Sequence, residues 1–251
     1  MPSEKASAIV IRVVEFSETS LVVTLFSREF GKLSALAKGG RRLKGPFESA
    51  LDLLALCRIV FLRKASDALD LLTEAKLLRR FRPVGHDLSG LYAGYYVAEL
   101  LGALTDQYDP QPELFDLADE TLAALMANEP VAKRVVRFEL GALRLLGHMP
   151  SLETCVECGK PIGGSGRVAF GQLDGGVLCD RCRGGKKEVA SVSVGALKTM
   201  LQLADPEGQA WRRMEVDARG LGEVRGLLNR YLTHLLGRKP KMHPYLGLLG
   251  N

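Results

Sequence analysis

No run of apolar residues in this 251-residue chain approaches the length needed to cross a bilayer. An apolar leader is missing as well: Met1-Pro2-Ser3-Glu4-Lys5 runs straight into an alternating segment. Both absences point to the cytoplasm, where thiols stay reduced and disulfides do not persist. The usual signatures of catalysis are also lacking. There is no Gly-x-x-x-x-Gly-Lys-Ser/Thr to cradle nucleotide phosphates, and no Gly-x-Gly-x-x-Gly behind a strand. There is no His-Glu-x-x-His and no Gly-x-Ser-x-Gly. None of His86, His148, His234 and His243 opens the His-x-Glu that a zinc deaminase needs. The expectation is therefore a binding protein rather than an enzyme. Repeats and low-complexity tracts are absent too. Aromatics are few in the first eighty residues: Phe16, Phe26, Phe30, Phe47 and Phe61, some of which must fill a core. A polyanion bound there would be held by charge more than by stacking.

Cysteine is what the chain spends its chemistry on. Cys155-Val156-Glu157-Cys158-Gly159 and Cys179-Asp180-Arg181-Cys182 are two Cys-x-x-Cys pairs at zinc-ribbon spacing. Two intervening residues let one tight turn aim both sulfurs at one ion, and Gly159 supplies the permissive backbone such a turn needs. Val168-Ala169-Phe170 and Val177-Leu178, joined by Asp174-Gly175-Gly176, read as the hairpin between the pairs. Four thiolates would close a tetrahedral shell around one structural Zn²⁺, with no position left for substrate. A redox pair or a disulfide is the competing use; two pairs at this spacing without a βαβ context, in a reducing compartment, argue against both. The fifth cysteine, Cys57, lies in an apolar run and reads as a core residue.

Along the chain, residues 6–16, 20–27, 33–37, 51–62 and 69–75 read as five strands, with a turn at Glu29–Lys32. Five short strands without a helix of similar strength predict a small barrel of the OB-fold type, which an SH3-like barrel would resemble. After Pro83 the period changes to that of a helix. Asp87 caps a first helix to about Thr105, a second spans 113–128, and a third starts at Pro130 and ends near Leu146 before Gly147. The tyrosines of the first helix read as packing. Further helices are expected at 194–204 and 221–236. The fold class is α+β and multidomain. It comprises a five-stranded OB-fold barrel (1–80), a helical domain in two parts (81–151 and 189–251) and a four-cysteine zinc ribbon (152–188) inserted between them.

Charge is distributed unevenly. Residues 1–82 carry net +6, residues 83–150 net −6 and residues 151–251 net +5. Basic ends suggest a polyanionic partner, and the acidic middle a different surface. Lys38-Gly39-Gly40-Arg41-Arg42-Leu43-Lys44-Gly45 puts four cations on one glycine-rich loop of the expected barrel. Guanidinium forks suit phosphate oxygens, and glycines let backbone approach a ligand. Lys38, Arg41, Arg42 and Lys44, with Arg79 and Arg80 where the barrel ends, are the candidate nucleic-acid contacts.

The order of parts, the Lys38–Arg42 loop, and the passage from Leu146-Gly147-His148-Met149-Pro150 to Cys158-Gly159 resemble the RecO family of bacterial DNA repair proteins along essentially the whole chain. The resemblance implies a recombination mediator that binds single- and double-stranded DNA and anneals complementary strands. Together with RecR it would help load RecA onto DNA coated by single-strand DNA-binding protein, in the cytoplasm and associated with the nucleoid. It also implies a helical region that engages the acidic C-terminal tail of single-strand DNA-binding protein, for which Lys133, Arg134 and Arg137 are the available cations. The alternative is a zinc-ribbon adaptor in transcription or RNA handling.

Overall fold

The computed structural model describes residues 3–42, 45, 47, 50–64, 68–84, 88–127, 129–208 and 210–246. The chain packs as two compact units, Met1–Glu129 and Pro130–Asn251.

In the first unit five strands close a barrel: β1 (Ser3–Glu15), β2 (Leu21–Ser27), β3 (Gly31–Ala37), β4 (Leu56–Leu62) and β5 (Asp70–Arg79), in the order β1-β2-β3-β5-β4. All neighbours are antiparallel except β3 and β5, whose short parallel pairing from Ala35 to Ala37 completes the ring. β1 is long enough to serve two partners. Residues from Ala8 onward pair with β2, and residues up to Ile9 pair with β4. A register shift between Val10 and Arg12 bends it between those duties. Alternation sets the inner face: Leu33, Ala35 and Ala37 of β3 point inward, as do Cys57, Ile59 and Phe61 of β4.

The fourth expected strand is too long. It begins at Leu56, and Leu51–Leu54 form turns, with Leu54 at φ 65°. The apolar run there is buried because Leu51 and Ala55 join the barrel core. Its backbone serves the bent part of β1 instead: the Val10 N–H donates to the Ala55 carbonyl at 3.0 Å, and the Leu54 N–H donates to the Val10 carbonyl at 2.7 Å. A short apolar run does not distinguish a strand from a packed turn.

Two helices complete this unit, α1 (Ser89–Leu104) and α2 (Pro112–Met126). The expected cap Asp87 and the expected last residue of the second helix, Asn128, lie outside the described residues. Gly94 lets α1 approach the barrel side closely, since a Cβ there would meet the Phe81 ring at 2.6 Å and Leu54 at 2.8 Å. Lys32 reaches the end of α1 and donates to the Gly102 carbonyl at 2.8 Å and to the Thr105 carbonyl, a favourable place for a cation. Tyr96 is fully buried, so that part of the tyrosine cluster is packing.

The second unit starts with α3 (Val131–Leu145). Gly147, at φ 75°, closes it with paired bonds: its N–H donates to the Arg144 carbonyl and the His148 N–H to the Leu143 carbonyl. A three-stranded sheet follows: β6 (Arg167–Gly171), β7 (Gly176–Leu178) and β8 (Val189–Ser193), in the order β7-β6-β8. The expected hairpin forms, with Phe170 opposite Val177, while β8 adds a strand that the sequence reading left unassigned. Then come α4 (Val194–Ala204), α5 (Ala210–Arg213), α6 (Ala218–Leu235) and α7 (His243–Leu246). Ser193 and Asp217 cap α4 and α6 by accepting from the N–H groups of Ala196 and Gly220. The core joins Leu140 of α3, Leu197 and Met200 of α4, and Leu228 and Leu232 of α6 to Phe170, Val177 and Val192 of the sheet. Phe170 meets the edge of Tyr231 at 6.3 Å, and the Tyr231 hydroxyl donates to the His148 carbonyl at 2.8 Å. Among the described residues no helix is long and apolar enough to cross a membrane.

Two glycine substitutions should separate these constraints. Gly31 has φ 68°, and a Cβ there would lie 2.0 Å from the Asp109 carbonyl oxygen. We expect Gly31→Ala to lose about 2–4 kcal/mol of stability in urea unfolding. Gly222 lies within α6 with nothing near an added Cβ. Gly222→Ala should gain about 0.5–1 kcal/mol in the same assay.

Candidate metal centre and nucleic-acid interface

The four cysteines of the two Cys-x-x-Cys pairs converge. The sulfurs of Cys155, Cys158, Cys179 and Cys182 all lie within 4.8 Å of one another. The Cys158 and Cys179 sulfurs are 3.8 Å apart. A tetrahedron of sulfurs each ~2.3 Å from a central ion has edges of ~3.8 Å, so the donors fit a four-coordinate zinc site.

Local backbone produces this convergence. The Gly159 N–H donates to the Cys155 carbonyl at 2.8 Å with Gly159 at φ 69°, closing the first knuckle. The Cys182 and Arg183 N–H groups donate to the Cys179 carbonyl at 3.0 and 3.1 Å, closing the second. The Val156 N–H donates to the Val177 carbonyl at 2.9 Å and ties the first knuckle to β7. Lys186 spans the site on its outer side, pairing with Asp174 at 2.7 Å and with Glu157. Its hydrogen bonds to those two carboxylates, Asp174 foremost, raise its pKa.

The electrostatics explain why a cation belongs here. Burial pushes the Cys155 thiol up, but hydrogen bonds from backbone N–H groups, Cys179 foremost, outweigh it and bring the thiol down to about 6. Cys182 moves the other way, to about 12. Its hydrogen bond with Cys179 is the main cause, followed by burial and the neighbouring sulfurs. One thiolate thus suppresses the next. A cation among the four sulfurs would favour the thiolate form of each. Cys57 stands apart: it is fully buried in the barrel, donates to the Ala50 carbonyl at 2.8 Å, and is pushed up to about 12 by burial. That is an inert core thiol.

The candidate DNA contacts fall into three groups. Lys38, Arg41 and Arg42 follow β3 on an exposed turn beside the β1–β2 hairpin. The Arg41 N–H donates to the Thr19 carbonyl, and its guanidinium pairs with Glu15 at 3.0 Å. That pair is open to solvent and exchangeable for phosphate. Lys38 and Arg42 are exposed and have no ion-pair partner among the described residues. Lys44, the fourth loop cation, lies outside the described residues. Arg79 and Arg80 are placed differently. Arg79 pairs with Asp119 of α2, and Arg80 with Asp52 at 3.2 Å. The structure brings these two to carboxylates of their own unit rather than to the loop.

The acidic middle is partly spent in the same way. Arg28 of the barrel makes a two-pronged pair with Asp116 of α2, both contacts at 2.9 Å, and holds that carboxyl below its usual range. Asp116 and Asp119 are one helical turn apart and serve one face. The cations proposed for an acidic tail are also engaged. Lys133 donates to the Met214 carbonyl, and Arg137 donates to the carbonyls of Leu203 at 3.0 Å and Asp205 at 2.8 Å. Arg134 and Arg137 lie on the buried Trp211 ring, each 4.6 Å from its centre. Arg134 itself is buried.

Sequence reasoning missed one member of the loop region. The sequence names Phe16 among five aromatics of which some must fill a core, without distinguishing which; it is 64% exposed where β1 ends, next to Glu15 and Ser17, both of which accept from Arg41. The signal was its position: it directly follows the end of the apolar alternation, before Ser17-Glu18-Thr19-Ser20.

Comparison with known proteins bears on the whole chain. Residues 1–81 match the family model described as "Recombination protein O N terminal", and residues 85–244 match "Recombination protein O C terminal". The DNA repair protein RecO of Rhodopirellula baltica is 42% identical over 262 residues, covering 95% of this chain and 97% of the relative. That of Anaeromyxobacter dehalogenans is 36% identical over 251 residues, covering 100% and 98%. That of Myxococcus xanthus is 34% identical over 245 residues, covering 97% and 96%.

Metal analysis of the purified chain should find one Zn²⁺ per molecule. Cys155→Ser should abolish it and lower the melting temperature by on the order of 10 °C or more. Cys57→Ala should keep the metal, which separates a ribbon role from a general need for cysteine.

Proposed function

The chain belongs to the RecO family and so to DNA repair and recombination, and we propose that within this role it is a mediator that holds DNA strands and cleaves no bond. The observation that carries the proposal is the exposed loop of Lys38, Arg41 and Arg42 at one end of the β1–β2–β3 strands of a closed barrel. The strand order β1-β2-β3-β5-β4 supports reading that barrel as an OB-fold. In this reading residues 1–80 are the nucleic-acid-binding domain, and residues 152–188 are a zinc ribbon set within a helical domain of 81–151 and 189–251. Cys155, Cys158, Cys179 and Cys182 hold one structural Zn²⁺, which fixes the fold of the ribbon and takes no part in any reaction.

The mechanism follows from charge. Two single strands repel through their phosphates. Cations on an exposed loop neutralise part of that charge and release condensed counterions. Strands held this way come together often enough for base pairing to proceed. Lys38, Arg41, Arg42 and Lys44 act directly on phosphates. Arg79 and Arg80 act there only by exchanging Asp119 and Asp52 for DNA, so they contribute less. Phe16 offers a flat apolar face beside the loop on which a base can stack. With RecR, the protein helps load RecA onto DNA covered by single-strand DNA-binding protein. The tail of that protein docks on cations other than Lys133, Arg134 and Arg137, whose contacts hold the second unit together.

The test is the salt dependence of binding. For single-stranded DNA each phosphate contact contributes ~0.7 to the slope of log K against log salt. Arg41→Ala/Arg42→Ala should weaken binding and flatten the slope by about 1.4, as two lost contacts require. Arg79→Ala should leave the slope nearly unchanged. Equal affinity and slope in the double variant and the parent would remove the loop from the account.

A further inference from the structure

Arg58 is the one charged residue of β4, in the run Leu56-Cys57-Arg58-Ile59-Val60-Phe61-Leu62. The register of the barrel gives it cationic neighbours. Lys76 of β5 lies directly opposite on one side, and Ser7 of β1 directly opposite on the other. Lys5 lies opposite Val60, one outward position from Ser7, and is the diagonal neighbour of Arg58. Side chains directly opposite have Cβ atoms about 5 Å apart, and diagonal pairs at about 7–8 Å are within reach of long side chains. Ala6, Cys57, Ile59 and Ala75 alternate with these residues and are buried, so the three cations share the outer face. All three are exposed.

Like charges directly opposite one another on a sheet are destabilising. Elsewhere on this unit barrel cations have carboxylate partners: Arg28 has Asp116, Arg79 has Asp119 and Arg80 has Asp52. Lys5, Arg58 and Lys76 have no ion-pair partner among the described residues. Glu74 is on the same face but stands opposite Val60, and Glu29 accepts from the Ser7 N–H at 2.9 Å. The result is a row of charge across three rigid strands, without an enclosing pocket. A small anion gains little on such a surface. A polymer with a repeating negative charge, which needs cations at intervals and no cavity, matches it.

The row is separate from the cationic loop. Arg41 of the loop pairs with Glu15 at the end of β1, in the half that pairs with β2. Arg58 stands opposite Ser7, in the half that pairs with β4, and the register shift between Val10 and Arg12 bends the strand between the two. We propose that Lys5, Arg58 and Lys76 hold the phosphates of a second single strand of DNA while the Lys38–Lys44 loop holds the first. The proposal rests on the DNA-binding reading above. It supplies what annealing requires and one loop lacks, a place for each of two mutually repelling strands. Phosphates on the row also relieve the repulsion between Arg58 and Lys76.

The full chain, loaded with zinc, should be titrated at low salt with an oligothymidylate of about 6 nucleotides, within the site size of one small barrel. Native mass spectrometry counts the strands bound. The parent should hold two, Arg58→Thr/Lys76→Thr one, and Arg41→Ala/Arg42→Ala one. The threonine variant should anneal complementary oligonucleotides about tenfold more slowly, since two phosphate contacts are gone. It should melt no lower than the parent, because it removes opposed like charges and threonine suits a strand. If it fails to fold, Arg58→Gln/Lys76→Gln repeats the test with side chains of similar length. A folded variant that still holds two strands and anneals at the parent's rate would overturn the proposal and leave the row to solvent or an acidic protein. A parent that holds one short strand would overturn it as well, by joining row and loop into a single track. If the parent binds no DNA, the DNA reading itself fails, which is a different result from losing the second strand alone.

Discussion

Four sulfurs held within 4.8 Å of one another would repel as thiolates unless a cation lay among them, and the cluster they form is packed into the sheet of the second unit. Cys155 is almost fully buried and packs with Ala169 of β6 and Leu178 of β7. Those strands carry Phe170 and Val177 into the core shared by α3, α4 and α6. The metal site is therefore the outer end of a continuous packing chain. Its loss would loosen Phe170 against Tyr231, and with it the bond from Tyr231 to His148 that fixes the end of α3.

Charge in the first unit follows a different logic. The barrel is basic and the helices after it are acidic, and part of that difference is satisfied internally. Asp116 and Asp119, on one face of α2, take Arg28 and Arg79. These exposed and half-exposed pairs add modestly to stability. Their larger consequence is to sort the cations. Arginines paired to α2 orient helix on barrel, whereas Lys38 and Arg42 have no ion-pair partner among the described residues. The same sorting appears in the second unit, where Arg134 and Arg137 lie on Trp211 and Arg137 also binds carbonyls at the end of α4. Net charge by segment does not distinguish these uses.

The parts legible in the sequence are those governed by short-range rules. The Cys-x-x-Cys spacing located the ligand set because two-residue spacing forces the geometry of a knuckle. The hairpin around Asp174-Gly175-Gly176, the stop at Gly147 and the helix at Val194–Ala204 followed from turn chemistry and periodicity. What escaped depended on partners distant in sequence. Residues 51–55 look like strand but fold as a turn that backs β1. β8 is a run of only five residues, and it is paired along its length with β6. The roles of Arg79, Arg80, Lys133 and Arg137 were set by carboxylates and carbonyls well beyond their own segments, from Asp52 for Arg80 to Met214 for Lys133, which a local charge count cannot see. Phe16 is a different case: of the five early phenylalanines, some of which had to fill a core, it is one that is exposed.

The central claim is that the cations left unpaired within the protein are there to hold DNA strands together. Its most direct test is the rate at which two complementary oligonucleotides anneal, one of them coated with single-strand DNA-binding protein, followed by fluorescence across a salt titration. The account predicts that the zinc-loaded chain accelerates annealing and that the acceleration fades as salt rises, because phosphate contacts are screened. No acceleration at any salt, from a chain carrying its zinc, would contradict it and would leave a ribbon-bearing protein whose partner is another protein.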